Sequence, residues 1–262
     1  MHTDRPLILG ICGSERAGGN TDLALAYAGR LAERRGAEFR TINLRDHQIS
    51  PCSPCGDCNS RPAPCALADD MPGIVEEMSR ADGIVYATPV HGFGLAHLMQ
   101  IFVERAGVGF LRFERPLANK VGGIIVTGRR YSEGSVHNQL VDNLLLNRMI
   151  LVGSGFPALL RNTGAEPGLN DPEGVAALER MVHRMLDMVL LLKQHSIAVG
   201  GPVLPSDDVN ERVERAAAIE EPEEHPGGAE PTERTDLAEH TRRTEHPEHG
   251  GRPARRVAES SA

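Results

Sequence analysis

The sequence predicts an α/β domain built on a doubly wound, five-stranded parallel sheet and followed by a polar tail. Two observations lead to this prediction. Short apolar runs alternate with amphipathic helical segments through the first 200 residues, a pattern typical of a parallel sheet covered by helices on both faces. From residue 201 onward the chain has no aromatic residue, and acidic residues outnumber basic ones by 15 to 8.

The predicted strands cover residues 6–12, 38–44, 83–88 and 120–127, with a fifth starting at 150–152. Helical spacing predicts helices over residues 20–35, 71–80, 95–105 and 135–149, and a long last helix that is capped by Asp171 and runs through 192. Right-handed crossovers at this spacing favour the strand order 2-1-3-4-5, which is that of a flavodoxin-like sheet. The apolar stripe of the last helix packs on its own sheet or serves a dimer.

Composition and charge exclude several classes of protein. The net charge of −8 falls almost wholly on residues 201–262, so the sequence offers no basic face for nucleic acid. No apolar run approaches the roughly 18 residues of a membrane span, and residues 1–6 lack a signal-peptide pattern, so we expect a cytoplasmic protein. Residues 1–200 are predicted to form one domain. Residues 201–262 are predicted to be a mostly disordered tail, because they hold too few apolar residues to offset the entropy of ordering.

A glycine-rich loop, GSERAGGNT at residues 13–21, joins the first strand to the first helix. A helix N-terminus has free N–H groups and a positive dipole end, so it attracts phosphate. Ser14, Asn20 and Thr21 add short polar groups, and Arg16 adds a cation suited to phosphate. The loop fits neither the dinucleotide glycine pattern nor the P-loop, which favours a mononucleotide phosphate. The alternative is an ordinary turn that caps the helix.

Four of the five cysteines fall in a loop at residues 50–66: Cys52, Cys55, Cys58 and Cys65. In a reducing compartment such a group is more often metal-binding or catalytic than disulfide-bonded. Four thiolates are typical of iron–sulfur clusters. Zinc also accepts four cysteines, and a loop without metal is the remaining alternative. Cys12, inside the first strand, is interpreted as a small core residue.

Four segments resemble the NADPH-dependent FMN reductase family of the flavodoxin-like superfamily. They are the loop at 13–21, TPVHGF at 88–93, VTGRR at 126–130 and NDPEG at 170–174, in the family's order. The resemblance implies that FMN binds at the carboxyl ends of the strands, where open α/β sheets bind ligands. It implies no catalytic acid or base, and His91 either lines the pocket or donates a proton to the flavin. The implied FMN-binding residues are Ser14, Arg16, Asn20, Thr21, Pro89, Val90, His91, Gly92, Phe93, Gly128 and Arg129.

The cysteine loop, with DDM at 69–71, resembles the iron–sulfur flavoproteins, a branch of the same family. This resemblance implies a 4Fe–4S cluster on Cys52, Cys55, Cys58 and Cys65. Electrons would pass from a ferredoxin-like donor through the cluster to FMN, in a homodimer or homotetramer. The alternative enzyme is an NAD(P)H-dependent FMN or quinone reductase without a cluster. The alternative of another class is a non-catalytic redox or metal sensor.

Overall fold

The computed structural model describes residues 5–53, 55, 65–106, 115–201 and 204. All of them belong to the first of two units into which the chain divides, Met1–Ala218 and Ile219–Ala262. The predicted ligand Cys58 lies outside the described residues. So does the predicted tail, except for residues 201 and 204.

The strands are β1 (Leu7–Cys12), β2 (Glu38–Asn43), β3 (Gly83–His91), β4 (Gly94–Leu95), β5 (Val121–Gly128), β6 (Ile150–Leu151) and β7 (Ala158–Arg161). They form a sheet in which parallel strands follow the order β2-β1-β3-β5-β6. The short β4 pairs antiparallel with the end of β3, and β7 pairs in parallel with the second half of β5. Because β4 is an addition to the end of β3, the predicted parallel order 2-1-3-4-5 is confirmed.

The fifth predicted strand is in fact two short strands. β6 pairs with the start of β5, at Val121 and Gly122, whereas β7 pairs with its end. Residues 153–157 leave the ladder between them because Gly155 has a φ of +88° and Pro157 has no N–H to donate. The sequence analysis predicted β6 and missed β7, which carries a wall of the site described below.

The third strand is also longer than predicted. It continues to His91 and turns through Gly92 and Phe93 into β4. Both turn residues have positive φ, +51° and +64°, as a two-residue type I′ hairpin requires. The next helix consequently starts at His97 rather than at residue 95.

The predicted helices are confirmed, with boundaries that differ by a few residues. They are α1 (Asn20–Arg34), α2 (Met71–Arg80), α3 (His97–Ala106), α4 (Glu133–Leu146) and α5 (Pro172–Val199), with a 3₁₀ turn at Leu44–Asp46. Asp171 caps α5 as predicted, because its Oδ1 accepts from the N–H of Gly174 at 3.0 Å. No helix within the described ranges is long and apolar enough to cross a membrane.

The helices cover both faces of the sheet. α1 and α5 pack on one face, and α2, α3 and α4 on the other. The stripe of α5 packs against its own sheet, since Leu178, Val182, Met185 and Val189 are all buried in that core. These two layers leave the carboxyl edge of the strands, with its loops, as the open side of the domain.

Candidate functional site

A cleft of about 410 Å³ lies at the carboxyl edge of the sheet. Its walls come from the loops that follow β1, β3, β5 and β7. Of the predicted cofactor residues, Gly92 and Phe93 do not line the cleft, and the Phe93 side chain is 71% exposed. The other nine do. The lining residues are Ser14, Arg16, Gly19, Asn20, Thr21, Pro89, Val90, His91, Thr127, Gly128, Arg129, Asn162, Gly164, Ala165, Glu166 and Pro167.

The floor of the cleft is the loop between β1 and α1. Ser14 is buried, and its hydroxyl accepts a hydrogen bond from the N–H of Arg16 at 3.2 Å. Gly19 is the N-cap of α1, and no side chain caps the helix there. The first N–H groups of α1 therefore point toward the cleft without a side-chain acceptor, which is the arrangement that binds a phosphate group.

A half-buried polar cluster supports this loop from below. Asp22 accepts hydrogen bonds from the thiol of Cys12 at 3.1 Å, from Arg45 at 3.0 Å and from the N–H of Gly18 at 2.8 Å. Arg45 also donates to the carbonyl of Ser14 at 3.3 Å. Two elements, the start of α1 and the 3₁₀ turn after β2, thereby fix the backbone of the loop.

The pKa values in this cluster follow from burial and pairing. Burial raises the pKa of Cys12 to about 12, so its thiol stays protonated and donates to Asp22. Burial also opposes the charge on Asp22, but hydrogen bonds from Cys12, Arg45 and Gly18 outweigh it and lower the pKa of that carboxyl. Cys12 is therefore a core residue, as predicted, and in addition supports the loop between β1 and α1.

Two polar contacts join the first turn of α1 to the far side of the cleft. The hydroxyl oxygens of Thr21 and Thr127 lie 2.7 Å apart, and both residues are buried. The side-chain oxygen of Asn20 accepts from the Asn162 amide at 3.1 Å and from the N–H of Gly168 at 2.9 Å. The side chains of Asn20 and Thr21 thus hold the start of α1 against β5 and the 162–168 segment.

The segment from Asn162 to Pro167 forms a wall that the sequence analysis missed. Asn162 is buried, and its amide group donates to the carbonyl of Glu166 at 2.9 Å while its oxygen accepts from Gly164 at 2.8 Å. The segment follows directly on the missed strand β7. The Gly-Ala-Glu-Pro-Gly run at 164–168 marks a turn, but nothing local signals that it folds toward Asn20, 142 residues away in sequence.

The hairpin after β3 forms the opposite wall, with Pro89, Val90 and His91 in the lining. Glu15 of the phosphate loop connects to this wall. Its Oε1 lies 2.6 Å from Nδ1 of His97 and 3.6 Å from Nδ1 of His91. These side chains are 40–63% exposed, so the contacts join two loops at the mouth of the cleft without a buried charge.

The cysteine loop is anchored by a buried ion pair. The side chains of Arg105 and Asp69 are in direct contact, and each is 3% exposed. Asp69 also accepts from the N–H of Ser50 at 2.9 Å, and Arg105 donates to the carbonyl of Ser50 at 3.1 Å. The two ends of the loop, at Ser50 and Asp69, are thus held together against the last turn of α3.

The electrostatics of this anchor favour both charges. Burial opposes ionisation of Asp69, but the hydrogen bonds from Arg105, Ser50 and Met71 outweigh it and lower the pKa of the carboxyl. Burial likewise opposes the charge on Arg105, but Asp69 and then Cys65 raise the pKa of the guanidinium. The ion pair therefore persists across the physiological pH range.

The predicted metal ligands are only partly placed. Cys52, Cys55 and Cys65 are exposed, and Cys58 lies outside the described residues. Within the described ranges, no three His, Cys, Asp or Glu side chains are gathered so as to hold a metal ion. The donor set of four thiols suits a soft metal by its chemistry, while its assembly into a site stays a prediction.

Comparison with known proteins shows the family to which the chain belongs. The model of a family described as NADPH-dependent FMN reductase matches residues 6–163. An iron–sulfur flavoprotein of Methanocaldococcus jannaschii is 30% identical over 194 residues, which cover 71% of this chain and 99% of that protein. One of Methanosarcina thermophila is 29% identical over 192 residues, which cover 72% and 97%.

The fold is shared with solved structures of low sequence identity. RosB, solved with bound 8-demethyl-8-formylriboflavin-5′-phosphate, has a TM-score of 0.56 and 19% identity. That match covers 87% of this chain and all of RosB. The family match and the relatives together make the protein a flavin-dependent oxidoreductase. The chain belongs to the NADPH-dependent FMN reductase family, in its iron–sulfur flavoprotein branch.

Proposed function

We propose that the chain binds FMN in the cleft at the carboxyl edge of the sheet. The observation that carries the proposal is the N-terminus of α1, which opens into the cleft with Gly19 as its N-cap and no capping side chain. A terminal phosphate supplies the acceptor that these N–H groups lack. Arg16 in the lining adds a positive charge that pairs with the phosphate.

The remaining walls of the cleft fit an extended ligand such as FMN. From the phosphate loop above β1, the cleft continues past Val90 and His91 at the end of β3 to Gly128 and Arg129 at the end of β5. FMN supplies the redox chemistry when bound, and the protein supplies binding, orientation and electrostatics. The hairpin wall and the 162–167 wall would lie on either side of the ligand.

We further propose that Cys52, Cys55, Cys58 and Cys65 hold a 4Fe–4S cluster that exchanges electrons with FMN. The spacing of the four cysteines supports this, as do the names of the relatives, which are iron–sulfur flavoproteins. The anchor at Arg105 and Asp69 adds a physical argument, because it holds together Ser50 and Asp69, which flank the segment that carries the four cysteines. A ferredoxin-like donor and a homodimer or homotetramer remain predictions.

The second candidate is an NAD(P)H-dependent FMN or quinone reductase without a cluster. The exposure of Cys52, Cys55 and Cys65 favours it, because free access of solvent to thiols suits neither a buried cluster nor a structural zinc site. A non-catalytic redox or metal sensor is the third hypothesis. The intact cleft argues against the sensor, since the residues of its lining match what a flavin enzyme needs.

Analysis of the bound cofactors tests both proposals. Anaerobically purified protein is expected to release FMN, identified by chromatography, and to contain iron and acid-labile sulfide. Recovery of FAD in place of FMN would contradict the first proposal, because the phosphate loop fits a terminal phosphate. If the protein contained zinc without iron, or no metal, the cluster proposal would be wrong. The FMN or quinone reductase without a cluster would then be the remaining enzyme hypothesis.

A pair of cysteine variants sharpens the test. Cys58→Ser is expected to lose iron while retaining FMN, since the phosphate loop is unchanged. Cys12→Ser is the matched control: it lies in β1, keeps a hydroxyl donor for Asp22, and is expected to retain both iron and FMN. Flavin reduction by a ferredoxin-type donor should fail in Cys58→Ser, whereas reduction by dithionite should persist. Equal iron in Cys58→Ser and the parent would refute the ligand assignment.

A further inference from the structure

The wall of the cleft at residues 162–168 is built around one buried side chain, that of Asn162. Asn162 is only 7% exposed. Its Oδ1 accepts from the N–H of Gly164 at 2.8 Å, and its NH2 group donates to the carbonyls of Glu166 at 2.9 Å and Gly168 at 3.3 Å. These backbone groups fix which way round the amide lies, because a backbone N–H can only donate and a carbonyl can only accept.

The NH2 group of Asn162 also reaches the start of α1. It donates to Oδ1 of Asn20 at 3.1 Å, and the N–H of Gly168 donates to the same oxygen at 2.9 Å. If the Asn20 amide turned by half a rotation, its NH2 group would face two donors in place of an acceptor facing them. The wall therefore sets the orientation of the Asn20 amide.

The other end of the Asn20 amide is left open at the cleft. Asn20 lines the cleft, and its Nδ2 is not a buried atom. Both hydrogen bonds that its side chain makes with described residues end on Oδ1, so the NH2 group has no acceptor within that part of the chain. Asn20 is also the first residue of α1, whose N–H groups lack a side-chain cap. The NH2 group thus joins these N–H groups as a further donor where the phosphate is proposed to bind.

We propose that Asn162 is a positioning residue that makes the cleft select phosphorylated flavin. It holds Oδ1 of Asn20 and so keeps the Asn20 NH2 group directed at the phosphate. The inference rests on the proposed binding of FMN in this cleft. It names a residue that separates FMN from riboflavin, which has the same ring and ribityl chain but no phosphate.

The hydrogen-bond pattern around position 162 requires an amide there. One donor, the N–H of Gly164, lies on one side of the group, and three acceptor oxygens lie on the other, those of Asn20, Glu166 and Gly168. A carboxylate has the same shape but only accepts hydrogen bonds. Asn162→Asp therefore places an acceptor against three acceptors, and the amide of Asn20 loses the donor that holds it.

The ratio of Kd for riboflavin to Kd for FMN measures what the phosphate contributes to binding. The apoproteins of the parent and of Asn162→Asp are titrated with both ligands at about pH 8, where a carboxyl group is ionised, and binding is followed by flavin fluorescence. We expect the ratio to fall about tenfold in Asn162→Asp, equivalent to about 1.4 kcal/mol. Asn170→Asp, at an exposed position near the same wall, controls for an added negative charge and should keep the ratio of the parent.

A cycle of variants shows whether Asn162 acts through Asn20. Asn20→Ala removes the proposed donor and should also lower the ratio about tenfold. The double variant should have the ratio of Asn20→Ala, because both changes remove the same contact with the phosphate. A carboxylate at position 162 that repelled the phosphate directly would lower the ratio further in the double variant. A purely structural Asn162 would raise both Kd values in proportion and leave the ratio as it was.

NMR of the isotope-labelled parent apoprotein keeps the inference testable should Asn162→Asp not fold. Inorganic phosphate is expected to shift the side-chain NH2 signals of Asn20, and the NH2 protons of Asn162 should exchange slowly with water. Asn20 signals that do not move at saturating phosphate would overturn the inference, as would fast exchange at Asn162.

The outcomes distinguish this inference from the function on which it rests. If the parent prefers FMN to riboflavin and Asn162→Asp keeps that preference in full, the role of Asn162 is overturned while FMN binding stands. Additive losses in the double variant overturn it in the same way. If the parent binds FMN no better than riboflavin, or binds neither, the proposed phosphate site itself fails and the inference fails with it.

Discussion

Arg45 is predicted to control both the stability of the domain and its affinity for FMN. Arg45→Met keeps the apolar stem of the side chain and removes its charge. The change deletes the hydrogen bonds to Asp22, at 3.0 Å, and to the carbonyl of Ser14, at 3.3 Å. A hydrogen bond to a charged group contributes about 1.5–3 kcal/mol, and the side chains of Arg45 and Asp22 are 18% and 19% exposed. We therefore place the loss in the free energy of unfolding at about 2 kcal/mol.

The assay is thermal unfolding of the apoprotein together with titration by FMN. A loss of about 2 kcal/mol lowers Tm by about 4–8 °C in a domain of this size. FMN affinity should fall severalfold, because the Ser14 backbone is less well held before the ligand arrives. Arg40→Met is the control, since Arg40 pairs with Glu38 at 2.6 Å but the two side chains are 56% and 37% exposed. Equal Tm values for the two variants, or an unchanged Kd for FMN in Arg45→Met, would refute the role of the cluster.

Three further predictions follow from buried or solvated groups. Tyr86→Phe should raise the free energy of unfolding by about 1 kcal/mol, because within the described residues the buried Tyr86 hydroxyl has no hydrogen-bond partner; a lower Tm would contradict this. Burial lowers the pKa of His137 although a hydrogen bond with Asn138 acts in the opposite direction, so the unfolded chain binds the proton more readily. Stability should therefore fall as pH drops below about 6.5, and His137→Gln should flatten that slope in urea titrations whereas exposed His195→Gln should not. A chain ending at Gly201 should retain FMN and its Tm, because residues 202–262 add few apolar groups; loss of flavin on truncation would argue that the tail folds over the site.

The parts of the site that are contiguous in sequence were predictable. The glycine-rich loop at residues 13–21 could be placed at the cleft because Ser14, Arg16, Asn20 and Thr21 follow an apolar strand and open a helix, and each of these features is local. Its binding of phosphate stays a prediction. Pro89, Val90 and His91 were placed at the cleft by the resemblance of residues 88–93 to the family, and they do line it. The conformation of the turn that follows was not predictable, because no local pattern indicates that Phe93 adopts a positive φ. The sequence analysis therefore missed the turn and the later start of α3.

The residues that complete the site depend on contacts between distant segments. Asn162 reaches Asn20 across 142 residues, and Arg45 reaches Asp22 across 23. β7 is only four residues long and follows a turn through Gly155, so its pattern is too short to be distinguished from a loop. No local pattern marks Glu133 as buried, and its burial follows from packing against Gly128 at the end of β5.

Helix α3 physically connects the two regions that the proposed function requires. Its first residue, His97, contacts Glu15 at the mouth of the cleft, and Arg105 near its end holds Asp69 at the base of the cysteine loop. Ten residues of α-helix span about 15 Å, so a rigid element sets the separation between the flavin cleft and the anchor of the loop. Buried ion pairs add little net free energy of folding compared with apolar packing. The pair of Arg105 and Asp69 therefore contributes more to positioning the cysteine loop than to the stability of the domain. A buried cation in the last turn of α3 is thus best explained by the need to fix the cysteine loop relative to the cleft.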